Sequence, residues 1–138
     1  MTCLFCDIVA QREPSSIVTE TETILVLCDI HPVNPGHVLV ITKSHAQGLD
    51  DVDPAAGAEM FTVAQQVAKA IRRTDLRCEG IDLFLADGEA ALQEVFHIHL
   101  HVIPRYRGDE FRLSSGQPPT PVARAELDQI AGTIRNAL

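Results

Sequence analysis

The side chains best equipped for chemistry cluster in one stretch, Glu94-Val95-Phe96-His97-Ile98-His99-Leu100-His101-Val102-Ile103-Pro104. Three of the chain's six histidines stand here, alternating with apolar residues. Period two is a strand signature, because successive side chains point to opposite faces. Phe96, Ile98, Leu100 and Val102 are therefore expected to face the core. His97, His99 and His101 are expected to share the other face, about 7 Å apart at next-but-one positions. Pro104 has no N–H for the ladder and is expected to mark the strand's end. Two chemistries suit such a row. One is a transition-metal site, which needs carboxylates or further histidines nearby. The other is covalent catalysis by an imidazole, largely neutral at pH 7. That second chemistry needs an anion-binding surface and a group that fixes the imidazole tautomer.

The preceding chain must position this row. Cys3-Leu4-Phe5-Cys6 opens it, and a C-x-x-C pair by itself fits half a zinc site, a redox pair or chance. Asp7 to Arg12 is expected to be a short helix. Ser16–Glu20 and Thr23–Cys28, rich in β-branched and aliphatic residues, read as a hairpin. Asp29 follows, either as a turn former or as a carboxylate placed to accept from vicinal hydroxyls. Gly36-His37 leads into Val38-Leu39-Val40-Ile41, an apolar run expected for a central strand covered on both faces. Lys43 reads as a surface charge. Asp53-Pro54 is a good helix start. Met60, Phe61, Val63, Ala64, Val67, Ala68 and Ile71 recur at helical spacing, which predicts a scaffold helix running to about Thr74. Ile81 to Ala86 reads as a strand and Asp87-Gly88-Glu89 as a turn leading to the histidine row. Beyond it, Phe111-Arg112-Leu113 reads as a short continuation and Ser114 to Pro121 as a loop. Pro121 to Leu138 reads as an amphipathic helix, with Leu127, Ile130, Ile134 and Leu138 on one stripe.

At 138 residues the chain is expected to be one domain, and 46% hydrophobic content suits a globular fold. Its net charge of −8, from 19 acidic and 11 basic side chains, disfavours non-specific nucleic-acid binding. No apolar run approaches the ~20 residues of a membrane span. With no basic-then-apolar leader, and with the C-x-x-C pair, a cytoplasmic location is expected.

His97-Ile98-His99-Leu100-His101-Val102-Ile103 resembles the signature of the histidine triad (HIT) family. The surrounding blocks agree in order: Asp29-Ile30-His31-Pro32, then Pro35-Gly36-His37-Val38-Leu39-Val40-Ile41, then Gln93-Glu94-Val95-Phe96 and Ile103-Pro104-Arg105. The likeness runs from about Cys3 to Leu113. It implies an α+β, HIT-like fold: a mainly antiparallel five-stranded sheet with one long helix and a C-terminal helix. A single domain would then span residues 1–138, with its core at about 3–113 and the last helix at about 121–138.

The resemblance also implies a function, closest to the phosphoramidase (Hint-like) branch. A purine nucleotide, AMP- or GMP-like, would be attacked at its α-phosphorus by His99, forming a covalent nucleotidyl-imidazole that water hydrolyses. His97, His101 and His37 would complete the catalytic set, with His101 and His37 donating to phosphate oxygens. Asp29 would hold the ribose, and Ile8 and Ile30 the base. Gln93 and the position after it, Glu94, would donate to the phosphate. In some relatives an N-terminal cysteine pair and two histidines bind a structural zinc, here Cys3, Cys6, His45 and His97. No catalytic metal is expected, and a homodimer is. Three positions depart from the pattern. Ala86 replaces a frequent amide and Leu92 a usual glycine. Glu94 stands where serine or threonine is frequent, and its carboxylate would repel a phosphate unless turned away. The alternatives are a dinucleoside polyphosphate hydrolase, a non-catalytic nucleotide-binding protein and a histidine-strand metalloenzyme.

Overall fold

The computed structural model describes residues 2–113 and 118–138. Five strands, β1 (Ile17–Glu20), β2 (Ile24–Cys28), β3 (Val38–Thr42), β4 (Gly80–Phe84) and β5 (His99–Arg105), are accompanied by helices α1 (Leu4–Val9), α2 (Pro54–Ile71) and α3 (Arg124–Arg135). The strands form one antiparallel sheet in the order β1-β2-β3-β5-β4. This is the α+β arrangement expected.

β3 is buried along its whole length because both its faces are covered. On one face Val38 and Val40 meet Ile24, Val26 and Val102 under Met60, Val63, Ala64, Val67 and Ile71 of α2. On the other, Leu39 and Ile41 meet Leu25, Leu27 and the α1 residues Phe5 and Ile8. Burying those side chains on both faces is what an uninterrupted apolar strand achieves. α2 begins as expected, the Asp53 carboxylate accepting from the Ala55 N–H at 3.2 Å ahead of Pro54. It ends at Ile71 rather than Thr74, because Arg73 and Thr74 donate three residues back, to Ala70 and Ile71. Phe61 is 58% exposed, contrary to its place in the expected stripe. It lies about 100° around the helix from Met60, off the buried face. α1 starts at Leu4, earlier than expected, because the Asp7 N–H closes a turn on the Cys3 carbonyl.

The histidine strand differs from expectation at both ends. β5 begins at His99, whose partner Ile41 is the last in the β3 pairing. Residues 94–98 approach it as irregular chain, so the alternation stops and Phe96 is left 44% exposed. His97 is consequently not on the strand. At the other end β5 continues through Pro104, which pairs with Ile81. The Pro104 carbonyl faces the side where β3 has already ended and accepts from Asn34 Nδ2 at 2.9 Å. A proline there removes no ladder bond.

β4 ends at Phe84, short of the expected Ala86. Residues 111–113 form no strand, and of the expected loop at 114–121 residues 114–117 lie outside the described residues. α3 starts at Arg124 rather than Pro121, and its Leu127, Ile130 and Ile134 stay exposed. No described helix is long and apolar enough to cross a membrane.

One polar knot ties the end of β5 to the loop before β3. Arg105 grips Asp109 with two bonds of 2.7 Å and donates to Asp82 at 2.5 Å, while Asn34 Nδ2 donates to Asp109 at 2.9 Å. The Arg105 bonds, helped by Asn34, hold the Asp109 carboxyl well below the usual carboxylate range. A depressed carboxylate contributes stability that is complete above about pH 4, where the unfolded group ionises, and is lost as pH falls toward the folded value. Asp109→Asn is therefore expected to destabilise the protein at pH 7. Urea unfolding should show the gap between variant and wild type closing as pH falls below about 4; a gap independent of pH contradicts the assignment.

Candidate active site

His99 and His101 project from β5 into a cleft of about 680 Å³, together with Ile8, Asp29, Ile30 and Glu94. That volume suits a small organic ligand. Apolar walls come from Phe5, Leu27, Leu39, Phe84 and Ile103. Its charged lining is Glu13, Asp29 and Glu94, and no lysine or arginine lines it among the described residues.

The hydrogen bonds of the histidines fix which nitrogen carries each proton. His99 Nδ1 lies 2.7 Å from the His97 carbonyl oxygen, which can only accept. Nδ1 therefore holds the proton, and Nε2 keeps its lone pair. His37 is set the opposite way. The Val33 N–H donates to His37 Nδ1 at 3.0 Å, so His37 carries its proton on Nε2. That Nε2–H is 2.8 Å from His101 Nδ1 and 3.4 Å from Asp29 Oδ2. His101 Nδ1 then accepts, and its own proton sits on Nε2. The two strand histidines thus present opposite functions, a lone pair from His99 and an N–H from His101.

Burial is the main force keeping His37 and His101 neutral. It pulls His37 below its ordinary value, against the opposing Asp29 charge. It takes His101 down to about 4, with His99 and His37 pushing the same way and Asp29 opposing. The edge of Phe5 packs on His99 with ring centroids 5.2 Å apart. Asp29 does form a turn, its Oδ1 accepting from the His31 N–H at 2.8 Å, while Oδ2 faces the histidine pair. Asp29, His37 and His101 form one of two groups compact enough to hold an ion. Their 2.8 Å nitrogen–nitrogen separation is a hydrogen bond, shorter than the roughly 3.3 Å between two imidazole nitrogens on a tetrahedral zinc.

His97 belongs to the second group, with Cys3, Cys6 and His45. It is fully buried, and its Nε2–H donates to the Thr42 carbonyl at 2.7 Å, which leaves the Nδ1 lone pair free. Nδ1 lies 3.4 Å from Cys3 Sγ and 3.6 Å from Cys6 Sγ, and His45 Nδ1 lies 3.4 Å from Cys6 Sγ. A tetrahedral zinc with standard Zn–S and Zn–N lengths sets sulfur–nitrogen edges of about 3.6 Å. The donor set and spacing therefore fit that ion. Burial and the adjacent Cys3 push the Cys6 thiol up, the penalty a bound cation removes.

Two expected contacts with phosphate, from His37 and from Gln93, are not available as drawn: the single His37 N–H, on Nε2, is directed at His101 Nδ1, 2.8 Å away. Both Gln93 amide hydrogens are engaged, donating to the Gln47 and Val95 carbonyls at 2.7 and 3.1 Å, while its oxygen accepts from the Gly88 N–H at 2.8 Å. Gln93 thus shapes the approach loop rather than reaching into the cleft. His97 reaches His99 only through its carbonyl. Leu92 adopts the left-handed conformation, φ 67°, that glycine holds without cost, and stands exposed at the cleft. Glu94 is exposed on the same rim, and Ala86 is buried in the lining. Ile8 and Ile30 both line the cleft, but Ile30 is 83% exposed. Phe5 was legible only as a spacer of the cysteine pair, although its three-residue spacing from Ile8 marks the buried face of a helix. Lys43 pairs with Glu20 at 2.6 Å on the surface, as expected.

A fold that pairs an antiparallel sheet with this histidine constellation defines a histidine triad protein. The family model described as HIT domain matches residues 10–108, and the chain belongs to that family. It is similar to a HIT family protein from Bacillus anthracis, with a TM-score of 0.90 and 36% identity over 99% of this chain and 97% of that one. It is similar to a Zn-bound histidine triad family protein from Mycobacterium smegmatis, with a TM-score of 0.77 and 40% identity over 96% and 98% of the two chains. It is also 31% identical, over all of its own length and 99% of the other's, to an adenosine 5'-monophosphoramidase of Schizosaccharomyces pombe.

The assigned protons are measurable. Long-range ¹H–¹⁵N spectra are expected to show His101 as a neutral imidazole protonated at Nε2 down to about pH 4. Since this value lies below the ordinary one of about 6.5, the unfolded chain takes the proton first and stability falls across that interval. A His101 midpoint near 6.5 contradicts the assignment.

Proposed function

We propose that the protein hydrolyses purine nucleoside phosphoramidates through a covalent nucleotidyl-His99 intermediate. The observation that carries this reading is the bond from His99 Nδ1–H to the His97 carbonyl at 2.7 Å, which leaves Nε2 as a lone pair facing the cleft. In the first step His99 Nε2 bonds to the α-phosphorus as the P–N bond breaks, the departing nitrogen taking a proton from solvent and leaving as the free amine. Water then attacks the same phosphorus, the P–N bond to His99 breaks, and the nucleoside monophosphate and neutral His99 are released with one proton returned to solvent. His101 Nε2–H would donate to a phosphate oxygen or to the departing nitrogen, with His37 holding the opposite nitrogen of the His101 ring. Asp29 would accept from the ribose hydroxyls, and Ile8 and Ile30 would contact the base. The similarity to an adenosine 5'-monophosphoramidase supports the leaving-group class. The acidic cleft favours it over a dinucleoside polyphosphate, whose extra charges would meet Glu13, Asp29 and Glu94 without a lysine or arginine among the described lining.

The Cys3, Cys6, His45 and His97 cluster is proposed to hold a structural zinc, supported by its spacing and by the Zn-bound relative. It would be tied by thiolates and imidazoles from three separate segments and would not touch the substrate. A homodimer is proposed on the exposed outer face of α2, where Phe61 lies. A cytoplasmic location is proposed on the unpaired cysteines.

His99→Asn is expected to lower turnover of adenosine 5'-phosphoramidate by about 10⁴-fold or more, as loss of a nucleophile does, while AMP still binds. Acid-quenched wild type should carry labelled nucleotide on a histidine, and the variant none. A variant that turns over normally removes His99 from the chemistry. Separately, metal analysis of protein purified without added metal is expected to find one zinc per chain, and chelation to lower the melting temperature. A metal-free protein of unchanged stability contradicts the zinc assignment.

A further inference from the structure

We infer that His97 is a positioning residue that couples the thiol–imidazole cluster to the nucleophile, so that metal bound by its ring holds the carbonyl that selects the His99 tautomer. The inference rests on the reading of His99 as nucleophile. The two roles use different parts of His97. Its ring Nδ1 points at the two sulfurs, at 3.4 and 3.6 Å, with Nε2–H pinned on the Thr42 carbonyl. Its carbonyl oxygen takes the His99 proton at 2.7 Å.

The peptide joining His97 to Ile98 has no strand partner to hold it, because the β5 ladder starts only at His99. What orients it is a bond at each end. The carbonyl receives His99, and the Ile98 N–H donates to the Ala46 carbonyl at 2.7 Å. Ala46 follows His45, itself one of the four candidate ligands. The peptide therefore hangs between two segments, each bearing a ligand, and a single ion binding both imidazoles would clamp those segments together. At the observed lengths the sulfur–nitrogen contacts alone are weak hydrogen bonds. Without metal the peptide can tilt and His99 Nδ1 loses its acceptor. The proton can then move to Nε2, the nitrogen that must attack.

Such a device acts on the chemical step and not on nucleotide affinity. Metal removal is expected to lower kcat by about 10–100-fold, the usual effect of disturbing an outer-shell partner, with KM little changed. The test compares zinc-loaded wild type, wild type dialysed against a chelator, and His45→Ala. His45 is exposed, and its loss leaves three ligands and no core cavity. Each sample is followed by metal content, AMP affinity, turnover and the long-range ¹H–¹⁵N pattern of His99. The expected result is an Nδ1–H pattern in the loaded protein and a mixture of tautomers in both depleted samples, with AMP affinity retained. Zinc chloride should restore the pattern and turnover of the dialysed wild type. A folded, metal-depleted sample that keeps both the Nδ1–H pattern and full kcat overturns the coupling. The tautomer is read without turnover, so this outcome leaves the role of His99 standing, whereas an active His99→Asn enzyme would remove that role and leave the tautomer result intact.

Discussion

The site depends on one hydrogen bond, from His99 Nδ1 to the His97 carbonyl at 2.7 Å. A neutral imidazole has two tautomers, and only one leaves Nε2 able to bond to phosphorus. If the proton moved to Nε2, a lone pair would face the carbonyl oxygen and a buried acceptor would lose its donor. That loss costs about 1–3 kcal/mol, which favours the reactive tautomer by roughly 5- to 150-fold. No charged group is needed for the selection. A main-chain oxygen two residues back performs it, because the chain bends there before entering β5.

The same logic, run in reverse, sets the neighbouring strand histidine. A backbone N–H, from Val33, fixes His37, and His37 then fixes His101. The sheet brings these together, since Leu39 pairs with His101 and His37 stands just ahead of β3. The result is a lone pair and an N–H side by side, with ring centroids 5.0 Å apart, and both rings belong to a single strand. Burial lowers His101 to about 4, so that ring stays uncharged across the physiological range. His101 acts as a donor because of its tautomer and not because it is protonated.

Much of this was legible in the residues and some was not. The alternation of His99 through Val102 with period two marks a strand, and the Val38–Ile41 run marks its central partner. The spacing of Cys3 and Cys6 fits a metal half-site, and the resemblance supplied His45 and His97 as its complement. The start of β5 was not legible, because His97 and Ile98 continue the alternation while tertiary contacts hold them outside the ladder: Thr42 and the thiols hold the His97 ring, and Ala46 holds the Ile98 amide. Gln93 looked like a phosphate donor because an amide has donors to offer. In the fold three backbone groups already use it. Phe61 failed for a geometric reason, since a residue adjacent to a buried one on a helix sits a third of a turn away. The stripe on α3 is real but stays exposed among the described residues, which periodicity alone cannot reveal.

Electrostatics then constrains what the cleft can hold. The chain carries a net charge of −8, and the cleft's charged side chains are acidic. An anion bound there must draw its stabilisation from neutral donors, and the His101 N–H is one that the structure orients toward the cleft. Such donors gain strength in a partly desolvated site but supply no net positive charge. Each further phosphate on a ligand would therefore add repulsion from Glu13, Asp29 and Glu94 without adding a compensating cation. The substrate class proposed above, a single phosphoryl group carrying an amine, is compatible with this balance. In the proposed reaction the departing nitrogen would take a proton as the P–N bond breaks, and carboxylates lining the cleft would favour the ammonium that results. On this account Glu94, unhelpful toward a phosphate oxygen, becomes compatible with the leaving group.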